Sequence, residues 1–166
     1  MNKNLTLKTY SQEVQQLISQ KHYKEALLKC SRGASLDPHN SAIYIAWGIA
    51  LFAVEDLDKA AFKFAKAIQI KPNDGRAYYN YSGIHYYMGK YEQAAEYSRK
   101  AYDLSSNPKF LQFWGMILQN QGKYDEALVK WDEIIRANPR APIPYICCCV
   151  TYYCNDQPSE ARALLE

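Results

Sequence analysis

The sequence predicts an all-α chain: a right-handed superhelix of stacked antiparallel helix pairs, an α-solenoid. Three observations predict it. Prolines recur at a fixed interval, with Pro38 and Pro72 34 residues apart and Pro139 a further 67 on, two such intervals less one residue. Apolar residues recur at helical period on both sides of a turn within each interval. Alanine returns at one place of every interval and a small residue at another in all but the first, and repetition on this scale outranks any single motif.

Aligned on the prolines, the chain falls into a short N-terminal tail, 1–6, and a single domain, 7–166, of five units: 7–40, 41–74, 75–107, 108–141 and an incomplete 142–166. "SLDPHN", "QIKPND" and "RANPRA" mark three junctions, and "LSSNPK" is a compressed fourth. The eighth place reads Val14, Gly48, Ser82, Gly115 and Cys149. The twentieth is Ala26, Ala60, Ala94, Ala127 and Ala161. The seventeenth is Tyr23, Leu57, Tyr91, Tyr124 and then Pro158. Between the eighth and twentieth places lie the turn signals "KHYKEA", "EDLDKA", "GKYEQA" and "GKYDEA". Two helices that cross closely need small side chains at the crossing. A small eighth residue opposite the twentieth-place alanine supplies that contact, and Tyr or Leu beside the turn fills the wedge. Proline with Asp, Asn or Ser ends the second helix and starts the next unit. A lone pair cannot bury both its faces, so neighbours stack.

This pattern resembles the tetratricopeptide repeat (TPR) over about residues 7–166, making the fold expected a TPR-like α-solenoid. "AIYIAWGIALFAVEDLDKAAFKFAKAIQIKP" and "FLQFWGMILQNQGKYDEALVKWDEIIRANP" each carry that family's aromatic, Gly, Ala, aromatic and Pro at its spacing. Repeat one departs with Val14 at the small place, so its helices are expected to sit further apart. Repeat five departs with Pro158 and with a short second helix, "PSEARALLE", that leaves Leu164, Leu165 and the cysteine-bearing helix half covered. Solenoids close such faces with a polar cap. The expectation is therefore either a longer natural protein or self-association through the C-terminal repeat.

Composition narrows the function classes. A net charge of +3 is too weak to predict a nucleic-acid or membrane partner. The N-terminus lacks the apolar run of a signal peptide, and no stretch reaches the ~18 apolar residues of a membrane span. Five cysteines, four of them crowded into 147–154, do not resemble a secreted disulfide framework, so a cytoplasmic location is expected.

Those cysteines need their own account. Cys147, Cys148 and Cys149 are consecutive on the first helix of repeat five, so they point about 100° apart around its axis. No two cysteines are three or four residues apart, the spacing a metal pair on a helix needs, and no histidine is near in sequence. Core packing by Cys148 and Cys149 is the expected role, with Cys149 as the small crossing residue. The rival is a redox or metal role through Cys147 or Cys154 pairing between chains.

No catalytic constellation appears, so no enzymatic role, cofactor or metal is expected. His22, His39 and His85 are isolated in different repeats. His22 and His39 fall by turns and should face solvent. His85 takes a slot filled by Leu51 and Leu118 elsewhere and should be a partly buried packing residue. Gly89-Lys90 and Gly122-Lys123 read as helix turns, not as phosphate-binding loops.

The resemblance implies where function sits. In tetratricopeptide proteins the first helix of each pair lines a concave groove through its second, fifth, ninth and twelfth places, helped by the sixth and thirteenth. Here those places give Ala42, Ile45, Ile49 and Phe52 in repeat two. Repeat three gives Arg76, Tyr79, Asn80, Tyr86 and Tyr87. Repeat four gives Lys109, Gln112, Met116, Gln119 and Asn120. Repeat five adds Ile143, Ile146, Val150 and Tyr153. Aromatic rings supply contact area at small entropy cost, amides bond a peptide backbone, and Arg76 and Lys109 suit a carboxylate. The expected function is a non-catalytic protein-interaction module, a scaffold or adaptor, that binds a peptide segment or helix of a protein partner. The bland alternative is a wall covered by the chain's own N-terminus, by further repeats or by another copy.

Three narrower readings compete with it. The carboxylate clamp that grips the acidic tails of heat-shock chaperones is mostly missing. Asn80 and Lys109 match it, but Ile45, Ile49 and Phe113 fill its other slots. Stacking of single-stranded RNA on a tyrosine wall lacks the basic excess such surfaces carry, because Lys59, Lys63 and Lys66 fall on the outer face as a solvated run. The rival from another class is an N-terminal, substrate-recruiting segment of a longer enzyme, such as a glycosyltransferase related to O-linked N-acetylglucosamine transferase. That rival rests on family analogy alone.

Overall fold

The computed structural model describes the backbone of residues 3–164, and side chains for residue 10 and from residue 12 to 164. Leu165 and the first two residues of the expected tail lie outside the described residues. Ten α-helices and no strand are found among the described residues. In order they are α1 (Lys3–Ser19), α2 (Tyr23–Leu36), α3 (Ser41–Ala53), α4 (Leu57–Ile70), α5 (Gly75–Tyr87), α6 (Tyr91–Ser105), α7 (Pro108–Asn120), α8 (Tyr124–Ala137), α9 (Pro142–Cys154) and α10 (Pro158–Ala163). No helix among the described residues is long and apolar enough to cross a membrane. The chain divides into two compact units, Met1–Ile84 and His85–Glu166, with the division inside α5.

Each turn between paired helices is made by the same backbone device. The fifteenth place of every repeat is left-handed: Lys21, Glu55, Gly89, Gly122 and Asp156 have φ of 62°, 62°, 72°, 73° and 55°. Beside it, the amide of His22, Asp56, Lys90, Lys123 or Gln157 donates to the carbonyl five residues back: Leu17, Leu51, His85, Leu118 or Tyr152. These are the outer bonds of Schellman-type helix ends, which satisfy carbonyls a helix end would otherwise leave orphaned. Only two of the five places use glycine, so three side chains accept a conformation that L residues rarely adopt.

Some helix starts carry a side-chain cap, whereas α2, α3, α6, α8, α9 and α10 have none. Asp56 accepts from the Lys59 amide at 3.3 Å and Asn107 from the Lys109 amide at 3.0 Å. Pro108, Pro142 and Pro158 sit in the first turn of their helices, where the absent N–H is not needed. Pro158 therefore replaces the usual wedge tyrosine without breaking the pair. The compressed junction "SSNP" is closed by Ser106, the left-handed cap of α6, which bonds Tyr102 O at 2.7 Å. Only residues 106 and 107 join α6 to α7, where four residues (71–74) join α4 to α5.

The crossing of paired helices differs in one respect from expectation. All five twentieth-place alanines are fully buried. A side chain added at the eighth place, however, would strike the twenty-fourth place. A Cβ on Gly48 would lie 2.5 Å from the Phe64 ring, and one on Gly115 3.0 Å from the Trp131 ring. The two places trade volume. Repeats two and four pair Gly with Phe64 or Trp131. Repeat one places Val14 in a buried cluster with the small Cys30 and Ala26. In repeat five, Cys149 Sγ donates to Ala161 O at 3.6 Å, so the crossing is made through the twentieth place as expected.

In the first unit the core gathers Val14, Ala26, Cys30, Ala46 and Ala50, with Leu17, Ile18, Leu27 and Trp47 packed against it. In the second, Leu111, Leu118, Ala127, Trp131, Ile134 and Cys148 form the cluster. The Trp131 indole N–H is not orphaned there. It donates to Thr151 Oγ1 at 3.1 Å, and Thr151 donates in turn to Cys147 O at 2.7 Å.

Two outcomes test this packing. Gly48→Ala should destabilise the protein by about 1–3 kcal/mol, and adding Phe64→Leu should return part of that loss. Chemical denaturation of the single and double variants reads both values. A Gly48→Ala protein as stable as the parent would refute the close approach. Glu55→Gly should stabilise by about 0.5–1 kcal/mol, because it relieves a left-handed side chain at a place where other repeats use glycine.

Candidate binding surface

The first helices present the residues that the family resemblance implies for a groove. In the first unit α3 offers Ala42, Ile49 and Phe52 half-buried, while Ile45 is only 8% exposed and belongs mainly to the core. From α5, Arg76 is exposed, and Tyr79 and Asn80 are half-buried. Arg76 is already engaged. Its Nε donates to Asp74 Oδ1 at 3.0 Å and its terminal nitrogen to Oδ2 at 2.7 Å. Asp74 also accepts from the Arg76 amide at 3.1 Å and so caps α5. The Arg76 hydrogen bonds hold the buried Asp74 carboxyl below the usual carboxylate range. A ligand carboxylate would have to share this guanidinium. Asn80 likewise spends its amide N–H on Arg76 O at 2.7 Å.

In the second unit the expected residues converge around Tyr86. The Tyr86 hydroxyl accepts from Asn120 Nδ2 at 3.2 Å, and the same amide group donates to Met116 O at 2.9 Å. The Tyr86 ring meets Tyr87 edge-on at 6.1 Å, Phe113 edge-on at 5.7 Å and Tyr91 tilted at 5.4 Å. Tyr87 is 65% exposed and Asn120 is exposed, so the cluster reaches the surface. Lys109 is exposed, and Gln112, Met116 and Gln119 are half-buried along α7. Phe113 and Tyr91 complete the ring cluster. Their signal in the sequence was weak: Phe113 looked like a broken clamp slot, and Tyr91 like a wedge beside the turn.

Repeat five contributes differently. Ile143, Ile146, Val150 and Tyr153 on α9 are 53%, 60%, 46% and 56% exposed, the most open apolar row on any helix described.

A second motif, missed in the sequence, lies on the helix backs. Lys63 Nζ stands 3.4 Å from the centre of the Trp47 ring, with Tyr44 stacked beside it, and Lys130 Nζ stands 4.2 Å from the Trp114 ring. These pairs occupy the seventh and twenty-third places of repeats two and four. Repeat one puts the ion pair Glu13–Lys29 at the same two places. Lys63 is thus half-buried, not part of a solvated run, and burial lowers its pKa. The periodic signal was present, but it is read only when the two helices are laid side by side.

The cysteines are all free thiols. Cys148 is buried beside Trp131, and burial pushes its thiol up to about 12, as it does for Cys30. Cys149 is half-buried at the crossing, and Cys154 is exposed. No group of three or more metal-ligating side chains is present among the described residues. His22 and His39 face solvent, while His85 is half-buried against Tyr97, with ring centres 5.1 Å apart. Burial, then the nearby Lys90 charge, lower the His85 pKa against a hydrogen bond with Gln93 that raises it.

The family model for anaphase-promoting complex (cyclosome) subunit 3, a tetratricopeptide-type family, matches residues 53–133. No curated protein matches the sequence. Among solved structures, YrrB, described as a TPR protein with an unusual peptide-binding site, is 22% identical. The match covers 94% of this chain and 81% of that one, at a TM-score of 0.76. PilF of Pseudomonas aeruginosa is 17% identical over 97% of this chain and 74% of its own, at a TM-score of 0.86. MamA from Desulfovibrio magneticus RS-1 is 16% identical over 96% of this chain and 90% of its own, at a TM-score of 0.82. At these identities the structures establish the fold. The fold is of the tetratricopeptide type, an all-α solenoid.

The His85 environment gives a pH test. Its folded pKa lies below the ordinary value near 6.5, so the unfolded chain binds the extra proton first as pH falls. Stability contributed by neutral His85 should be full above about pH 6.5 and drain away below it. His85→Leu, the residue found at that slot in repeats two and four, should flatten this part of the thermal-unfolding profile between about pH 7 and 5. An unchanged slope would remove His85 as its source.

Proposed function

We propose that the chain is a non-catalytic interaction module, a scaffold or adaptor, that holds a peptide segment or helix of a protein partner on the face of its first helices. The observation that carries this reading is the Tyr86 cluster of the second unit. There, rings at 5.4–6.1 Å, a bridging amide and an exposed Tyr87 occupy surface-facing places of α5 and α7. A pre-packed aromatic surface loses little side-chain entropy on binding, which is what makes tyrosine an effective contact residue. Asn120 and the glutamines of α7 offer donors and acceptors for a peptide backbone. Lys109 is the only charged residue on α7, so the surface suits an apolar segment with an acidic neighbour. The fold supports the same reading, because stacked helix pairs are built for extended contact surfaces. A second copy of the chain can serve as a partner through repeat five.

The test uses two exposed residues of this cluster. Tyr87→Ala combined with Asn120→Ala should weaken capture of the partner from native lysate by ~1–3 kcal/mol, about 5- to 150-fold, with helicity unchanged. Equal capture by parent and variant would defeat the reading.

A further inference from the structure

The open apolar row on α9 is spaced in a way that selects its occupant. Ile143, Ile146, Val150 and Tyr153 follow one another at intervals of three, four and three residues. That is the a–d–a–d order of a coiled-coil seam, and it runs the full two heptads of the helix. An extended strand repeats every two residues and meets such a row out of register, whereas a second helix drops knobs into its holes. The equivalent row on α3 begins Ala42, Ile45, and Ile45 is buried; the row on α7 begins Lys109, Gln112 and is polar. Among the described residues, only α9 combines the seam spacing with exposure of 46–60% at all four places.

We infer that this seam pairs with the same seam of a second copy of the chain, antiparallel, as a two-fold homodimer. Charge is the first argument. A two-fold interface sets each patch against itself, so any charged residue in it meets its own like. Helix α9, PIPYICCCVTYYC, carries no charged residue in its 13 positions. The flanking places of the seam, Pro142, Cys147, Cys149 and Cys154, are uncharged too, so nothing there opposes self-pairing or selects a differently charged partner. Volume is the second argument. Antiparallel pairing centred at Cys148 sets Ile143 against the partner's Tyr153 and Ile146 against the partner's Val150, larger against smaller. A parallel arrangement would set Tyr153 on Tyr153.

Area fixes the strength. Four half-exposed side chains bury on the order of 400 Å² per copy, roughly 800 Å² in all, below the ~1,200 Å² of a standard stable interface. The dimer should therefore be weak and reversible, with a dissociation constant on the order of 100 μM. The inference concerns repeat five alone and does not depend on the Tyr86 cluster binding a peptide.

Sedimentation equilibrium on the full chain, reduced, from about 10 μM to 1 mM tests it. The parent should pass reversibly from monomer toward dimer over that range. Ile146→Glu, at the seam's centre, should remain monomeric throughout with an unchanged far-ultraviolet circular dichroism spectrum. Val129→Glu alters an apolar side chain of α8 that is 59% exposed and off the seam, and it should associate like the parent. If Ile146→Glu proves unfolded, Ile143→Lys replaces it with the same expected outcome. A parent monomeric at 1 mM would overturn the inference, as would undiminished association in the seam variant or equal loss in Val129→Glu. A parent that stays monomeric while the Tyr87/Asn120 variant loses its captured partner would sink the dimer and leave the peptide-binding reading standing.

Discussion

The closeness with which the two helices of a repeat cross is the constraint from which the rest follows. It is set by the summed volume at two places, the eighth and the twenty-fourth, and not by the eighth alone. Gly48 yields to Phe64 and Gly115 to Trp131, while Val14 shares its cluster with Cys30. Interiors pack at crystal-like density, so an added methyl with no matching deletion is felt at once. The fully buried alanines at the twentieth place then keep the backbones near enough for that exchange to matter.

A second layer uses the same logic with charge. The seventh and twenty-third places carry Glu13–Lys29 in repeat one and Trp–Lys pairs in repeats two and four. In each case a lysine on the second helix lays its stem over a neighbour on the first and keeps its ammonium near an electron-rich partner. Exposed ion pairs contribute little, and a desolvated cation over a tryptophan contributes more.

The fold was legible because its signals are periodic. Proline spacing, twentieth-place alanine and turn glycines each repeat, so one weak motif is confirmed by its copies. The left-handed fifteenth place shows the limit of that method. Gly89 and Gly122 announce it, whereas Lys21, Glu55 and Asp156 adopt the same backbone without any residue that demands it. There the Schellman bond overrides local preference, which no single-residue propensity reports. In repeats two and four the partner of the eighth place was hidden for a related reason. Sequence position gives the face of a helix, but the direction of a missing Cβ comes only from the backbone.

The binding surface was legible as a set of places and not as a set of chemistries. Arg76 occupies a groove place, yet its guanidinium is spent on Asp74 two residues before it. Ile45 occupies another and is buried. Tyr86 occupies a third and gains its character from Phe113, Tyr91 and Asn120, which lie on other helices. Family position fixes where a side chain starts, and the neighbours it meets decide whether it remains available. By that criterion the α9 row stands apart, because its exposed side chains are apolar and its flanks carry no charge, so only packing can satisfy it. A surface of polar places can wait in water for a ligand at no cost, whereas a row of four half-bare apolar side chains gains by meeting any matching row. The first such row it encounters, at the concentration of the protein itself, is its own.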